Sequence, residues 1–229
     1  MNRKNFSLEL KDIHKIYLQG KKKVEVLNNV NLKLVPGQWY TIYGVSGSGK
    51  TTLLNILGGL EKPDQGTVVY KNNNIYSLKD RKLSAWRNKR IGFVFQFFHL
   101  MNELSVKKNI LLPVLIKNKN YDRKWFNRVL KLLNIEGLLS REPSTLSGGE
   151  KQRVAIARAV INKPDFILAD EPTGNLDSKN SEMVVKLMEN LKSESEVGII
   201  FATHEHNLTE KGDKNLLIEA GQVQVDKKE

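Results

Sequence analysis

The sequence predicts an α/β fold: a mainly parallel sheet covered by helices on both faces, an N-terminal antiparallel β-layer and an inserted helical subdomain. Three observations carry this expectation. Short, near-continuous apolar runs at residues 39–43, 91–95, 166–169, 197–203 and 215–218 read as strands, and helical segments separate several of them; continuous rather than alternating apolar character marks strands buried on both faces, which is how parallel sheets are built. Residues 6–16 and 24–35 instead alternate apolar and polar, and the Gly20-Lys-Lys-Lys stretch between them reads as a hairpin turn, so the chain opens with half-buried antiparallel strands. From 97 to 162 the spacing turns helical, with Val129, Leu130, Leu132 and Leu133 on one helix and Val154, Ile156, Ala157, Val160 and Ile161 on another.

The remaining elements follow in order. A helix after residue 49 carries Leu53, Leu54, Ile56 and Leu57 and stops at Gly58-Gly59. Residues 66–70 form a strand ending in the Asn72-Asn73-Asn74 turn, 79–88 a charged surface helix, and 178–192 a helix between two strands of the sheet. The organisation expected is one domain over 1–229, with 1–96 and 163–229 as catalytic core plus β-layer and 97–162 as the helical subdomain.

Composition narrows the function. The chain has 229 residues and no cysteine, which excludes disulfide frameworks, zinc ribbons, iron–sulfur ligation and thiol nucleophiles. Its formal charge is +12, a balance compatible with nucleic acid, anionic membrane or acidic substrate; 28 Lys against 9 Arg, with 22 Asn, is equally what AT-rich coding yields without any partner. The longest uncharged run, 34–49, is interrupted by Pro36 and four glycines, whereas a membrane span needs about 18 consecutive apolar residues. The opening residues lack an apolar leader segment, so the expectation is a cytoplasmic protein that meets a membrane only through a partner.

Three segments carry chemistry. Gly44-Val45-Ser46-Gly47-Ser48-Gly49-Lys50-Thr51 satisfies G-x-x-x-x-G-K-[ST] between a predicted strand and a predicted helix, with Thr52 next in line. Small residues let the loop curl so that its backbone N–H groups surround phosphates, and the helix N-terminus adds positive potential. Lys50 would bridge the β- and γ-phosphates and the Thr51 hydroxyl would reach Mg²⁺. The context defines a P-loop nucleoside-triphosphate site, and the fold expected with it resembles the RecA-like parallel core of P-loop NTPases. Residues 166–169 run into Asp170-Glu171; adjacent carboxylates on a strand point to opposite faces, so they divide the work. Asp170 would hold Mg²⁺ through water and Glu171 would act as general base on the attacking water. Leu146-Ser147-Gly148-Gly149-Glu150 precedes the most periodic helix. An S-x-x-E capping box accounts for Ser147 and Glu150, but not for two glycines in a first helical turn, where each costs about 1 kcal/mol against alanine. Exposed backbone at that helix start reads as a second phosphate contact.

Leu-Ser-Gly-Gly-Glu, with the phosphate loop and Asp170-Glu171, resembles the signature of ABC-type ATPases, and the similarity runs along essentially the whole chain. The resemblance implies that the ligand is ATP with Mg²⁺. It implies that Tyr17 stacks on adenine, that Gln96 senses Mg²⁺ and couples to a membrane partner, that Asn175-Leu176-Asp177 is the D-loop, and that His204 stands at the γ-phosphate. It further implies that Ser147, Gly148 and Gly149 face the phosphate loop of a second subunit, so that a head-to-tail homodimer encloses two nucleotides. An integral membrane permease subunit would dock near the run from Phe97 to Met101, placing the protein peripherally on the cytoplasmic face of the membrane. Ile56-Leu-Gly-Gly-Leu60, Gln96-Phe-Phe-His-Leu100 and Ala169-Asp-Glu-Pro-Thr-Gly-Asn-Leu-Asp177 resemble the branch with ATPases of lipoprotein-releasing complexes, macrolide and antimicrobial-peptide exporters, and the cell-division pair. Gly-Gly-Leu leans toward lipoprotein release; Glu205 and Ala220, where Asp is usual, are departures away from the chemistry. The alternative, a soluble ABC ATPase acting on nucleic acid or ribosomes, suits the charge, but such proteins carry coiled coils, zinc modules or tandem ATPase domains that this chain lacks; no nucleic-acid partner is expected. A P-loop kinase or GTPase would have no reason for Leu-Ser-Gly-Gly-Glu.

Overall fold

A computed structural model describes residues 6–116, 120–205 and 212–226; the opening residues 1–5, read above for a leader, lie outside them. The antiparallel layer forms as the alternation predicts. Strands β1 (Leu8–Gln19) and β2 (Lys22–Leu34) pair as a hairpin around Gly20, whose φ of +62° suits a residue without a Cβ. The layer is four-stranded, in the order β2-β1-β4-β5, and takes in β4 (Gln65–Tyr70) and the short β5 (Asn73–Asn74). The sequence reading placed a turn over Asn72–Asn74; the turn is one step earlier, at Lys71 and Asn72, both left-handed, which frees Asn73 and Asn74 to pair with Val69 and Tyr70.

The second sheet has the order β10-β9-β3-β8-β7-β6. Strands β3 (Trp39–Tyr43), β6 (Ile91–Phe95), β7 (Phe166–Asp170), β8 (Gly198–Thr203) and β9 (Lys214–Glu219) are mutually parallel. Every residue of β3 and β8 is buried, which explains their near-continuous apolar character, broken only by the buried Thr41 and Thr203. The edge strand β10 (Gln222–Asp226) pairs antiparallel with β9 and is not foreseen in the sequence reading.

Helices complete two cores on opposite sides of this sheet. On one, α1 (Lys50–Leu57) buries Leu53, Leu54, Ile56 and Leu57 against the sheet and the antiparallel layer. On the other, α3 (Val106–Leu115), α4 (Arg123–Leu133), α5 (Gly148–Val160) and α6 (Ser178–Ser195) gather around Trp39, Ile167 and Phe201, with Trp39 and Phe201 stacked at 5.5 Å. The α2 helix (Asp80–Arg90) buries none of its residues fully, as its charge predicts. The consequence for function is positional: the C-terminal ends of β3, β6, β7 and β8 lie along one edge of the sheet, where open α/β sheets place their ligand sites.

Candidate active site

The loop leaving β3 can be built only from small residues. A Cβ on Gly44 would lie 2.4 Å from the Ile218 carbonyl oxygen, and one on Gly49, at φ +108°, 2.9 Å from that of Val26. The loop therefore curls tightly into α1, leaving Val45, Ser46 and Gly47 exposed at its tip. Lys50 is only 5% exposed, and its ammonium donates to the carbonyls of its own loop, Gly44 at 2.8 Å and Val45 at 3.1 Å. A buried cation held by neutral dipoles and one carboxylate at 3.9 Å (Glu171 Oε1) retains capacity for a further anion. The Ser48 hydroxyl is buried with no partner among the described residues.

Asp170 is the last residue of β7 and Glu171 lies just past it in a left-handed conformation, so the strand alternation expected of the pair does not extend to Glu171. Asp170 Oδ1 is buried and lacks a hydrogen-bond partner among the described residues; burial pushes its carboxyl above the ordinary range, with Glu171 adding to the effect and Thr51 and Lys50 opposing it. An orphaned carboxylate oxygen beside the Thr51 hydroxyl fits a divalent cation bound between them. Glu171 follows in the left-handed region, φ 44°, an unfavourable conformation for a non-glycine residue. Its amide donates to the Ala202 carbonyl at 3.0 Å, which fixes it across the end of β8. The carboxylate then stands 3.3 Å from His204 Nδ1 and 3.9 Å from Lys50.

Gln96, just past β6, is held from the other side: the Asn175 amide donates to its carbonyl at 3.0 Å, and its own side-chain amide points at Asn175 Oδ1 at 3.5 Å. Tyr17, near the end of β1, reaches back over α1; its hydroxyl donates to Glu61 at 2.6 Å and stands 3.5 Å from the Thr52 hydroxyl.

Ser147, Gly148 and Gly149 sit elsewhere. Ser147 and Glu150 form the capping box, with Ser147 N–H donating to Glu150 at 2.8 Å and Glu150 N–H to Ser147 Oγ at 3.3 Å. Gly149 is demanded by packing, since a Cβ there would fall 2.5 Å from Asn180 Oδ1; Gly148 has room, its nearest neighbour being Leu176 at 3.4 Å. Asp177 caps α6 by accepting from the Asn180 amide at 2.8 Å. Among the described residues, no hydrogen bond or ion pair joins residues 147–150 to the loop 44–51. The structure thus brings Gly44–Thr52, Asp170, Glu171 and His204 together and sets the Ser147–Gly149 segment against the start of α6.

Sequence reasoning missed two partners. Gln152, fully buried on α5, donates to the Pro172 carbonyl at 2.7 Å and ties the helix to the segment after Glu171; a polar residue within an apolar helical face was its signal. Glu61 carried no signal. A groove of about 960 Å³ also opens beside the site, lined among others by Phe93, Phe95, His99, Ile116, Arg87 and Arg158. Of the run from Phe97 to Met101 only His99 lines it; Phe97 and Met101 are exposed, and Arg158 donates to the carbonyls of Phe98 and His99.

A curled glycine loop around a buried lysine after β3, a histidine just past the adjacent β8, and two acids at the end of β7, the next strand over, define a P-loop nucleoside-triphosphatase. The ABC transporter family model matches residues 27–174. The chain is 43% identical over 223 residues to the lipoprotein-releasing system ATP-binding protein LolD 2 of Chlorobium chlorochromatii, covering 93% of this chain and 92% of that protein. It is equally 43% identical to the uncharacterized ABC transporter ATP-binding protein YvrO of Bacillus subtilis, covering 96% and 97%. Among solved structures, the ATP-binding cassette MJ0796, in a dimeric post-hydrolysis state bound to ADP and Pi, aligns with a TM-score of 0.86 at 37% identity, covering 96% of this chain and 98% of that one. The chain belongs to the ABC transporter family, as an ATP-binding and ATP-hydrolysing subunit. No helix among the described residues is long and apolar enough to cross a membrane.

Proposed function

We propose that the chain powers a lipoprotein-releasing or related export complex, peripheral on the cytoplasmic face of the membrane, by hydrolysing ATP between two copies of itself. The observation that carries the hydrolytic reading is Glu171, held in a left-handed conformation with its carboxylate 3.3 Å from His204 and 3.9 Å from Lys50. In this reading Lys50 and the backbone of Gly44, Val45, Ser46, Gly47, Ser48 and Gly49 cradle the phosphates, with Thr51 and Thr52 at the helix start. Glu171 takes the proton of the attacking water, and His204 orients Glu171 and meets the γ-phosphate. Thr51, Asp170 and Gln96 hold Mg²⁺, which when bound neutralises charge on the phosphates. Tyr17 receives the adenine. Ser147, Gly148 and Gly149, with Asp177, complete the site of the opposite subunit. The helical segment 97–162 acts as a unit that carries this signature, against a core of 1–96 and 163–229.

The names borne by relatives support the lipoprotein assignment, and the groove beside His99 supports a membrane partner. Its lining is aromatic and aliphatic with arginines and no carboxylate, so an amphipathic helix of a permease subunit suits it. The test is to purify the tagged chain from membranes and identify the integral subunits that come with it. A permease pair that releases lipoprotein from proteoliposomes on ATP addition is expected. Ile116→Asp, in the groove wall, should abolish that co-purification; recovery with nucleic acid or ribosomes instead would overturn the assignment.

A further inference from the structure

The end of β1 is fastened to the loop that follows α1 by more contacts than a strand end requires. Asp64 donates its amide to the His14 carbonyl at 3.0 Å, and Ile16 donates its own to Asp64 Oδ2 at 2.7 Å. The Lys15 ammonium donates to the Lys62 carbonyl at 3.0 Å and pairs with Glu61 Oε1 at 3.1 Å. The Tyr76 hydroxyl secures the same loop, its one proton lying within reach of the carbonyls of Ile56 and Glu61. The Glu61 carboxylate is therefore a fixed point. Onto that fixed point the Tyr17 hydroxyl donates at 2.6 Å, across 44 residues of sequence. Burial and the Glu61 hydrogen bond both raise the Tyr17 phenol, so it keeps its proton and remains a donor. The Lys15 ammonium, bound to the same carboxylate, lies 5.4 Å from the centre of the Tyr17 ring.

Tyr17 as a whole stays 36% exposed. An exposed aromatic at a strand end would ordinarily sample several rotamers, and a base stacking on it would have to select one of them. Anchoring the hydroxyl removes that freedom before the ligand arrives.

We propose that Glu61 is a positioning residue for base recognition: it holds the Tyr17 ring ready for adenine and ties that ring to the loop following α1, the helix that begins with Lys50. The proposal rests on the reading of Tyr17 as the adenine-stacking residue. Because the Glu61 carboxylate bonds Tyr17 and Lys15 and, among the described residues, neither the phosphate loop nor Lys50, its contribution belongs to the base and not to the phosphates.

The experiment is titration calorimetry of the purified full chain with ATP and, separately, with inorganic tripolyphosphate, which has phosphates and no base. Glu61→Ala should weaken ATP about three- to tenfold, the effect of losing one pre-ordered side chain, and leave tripolyphosphate within about twofold. Glu61→Gln, whose amide oxygen still accepts from Tyr17, should restore ATP affinity. Tyr17→Phe keeps the ring and removes the donor, so it should share the loss, and the double variant Tyr17→Phe/Glu61→Ala should lose no more than either alone. Equal weakening of both ligands, additive losses in the double variant, or a Glu61→Gln as weak as Glu61→Ala would overturn the proposal. Tyr17→Ala separates the two readings: no loss of ATP affinity there removes the stacking role itself, whereas a loss there with Glu61→Ala unchanged removes only the role of Glu61.

Discussion

Two helix starts in this molecule are rich in glycine, and they are finished differently. At the start of α1, nothing caps the helix by a side chain; Gly49 stands in the left-handed region, and the loop before it turns its backbone around the Lys50 ammonium. At the start of α5 the cap is complete, Ser147 and Glu150 satisfying one another reciprocally. The first start has no side-chain cap, and its acids, Asp170 at the end of β7 and Glu171 just after it, come from the same chain. The second is satisfied within the chain and packed near Leu176 and Asn180, with Gly148 half-buried and no residue of the phosphate loop bonded to it among the described residues. A phosphate loop with its acids at one helix start, and an internally capped glycine start set apart from it, suit a head-to-tail pairing of two chains.

The largest effect that sharpens this contrast is expected at Glu171. Glu171→Gln removes the base while leaving Lys50, Asp170 and the backbone cradle, so phosphate release should fall about 10²- to 10⁴-fold. ATP binding should persist, and an ATP-bound dimer should accumulate on size-exclusion chromatography with light scattering. A variant turning over at the parental rate would remove Glu171 from the chemistry. Next comes Gly148→Asp, which places a negative side chain where the partner's phosphate should meet the α5 backbone. Turnover should drop by about 10²-fold, the scale of losing a phosphate-directed donor, with ATP affinity of the monomer unchanged; weakened monomer binding would mean that α5 serves its own chain's nucleotide.

The smallest effect separates the two signature glycines. Gly149→Ala forces a methyl group to 2.5 Å from Asn180 Oδ1 and should cost about 1–3 kcal/mol of stability, read as a lower Tm. Gly148→Ala, whose Cβ meets only Leu176 at 3.4 Å, should keep or slightly raise the Tm, by the ~0.4–1 kcal/mol that alanine gains over glycine where the backbone suits both, while still slowing turnover. Equal destabilisation at both positions would reduce the segment to a packing motif.

Both helix starts were legible from sequence, while elements paired across the chain were not. The phosphate loop is local: strand, glycines, lysine and helix lie within a dozen residues, and each residue's role follows from its neighbours. The capping box is local too, and it forms as expected. The positions that escaped depend on pairing across the chain. Gln65–Tyr70 reads as a short strand like several others, and only its pairing with β1 assigns it to the antiparallel layer. Gln222–Asp226 is a short edge strand whose partner, β9, supplies most of its order. Glu61 follows a helix stop in a stretch of charged residues and gains meaning only through Tyr17 and Lys15. The groove of Phe93, Phe95, His99 and Ile116 is assembled from β6, the segment after it and the end of α3, so no single stretch announces it.

The central claim is that the α1 and α5 starts meet between chains and not within one. The absence of native cysteine makes this directly measurable. Ser46, exposed at the tip of the phosphate loop, and Ser144, exposed just before the signature, can be replaced in separate chains as Ser46→Cys and Ser144→Cys on the Glu171→Gln background. Mixed with MgATP and a short bis-maleimide, the two should give a cross-linked heterodimer whose yield falls to background without nucleotide. A nucleotide-independent yield, or efficient cross-linking inside a single chain carrying both substitutions at concentrations too low for dimers, would contradict the account.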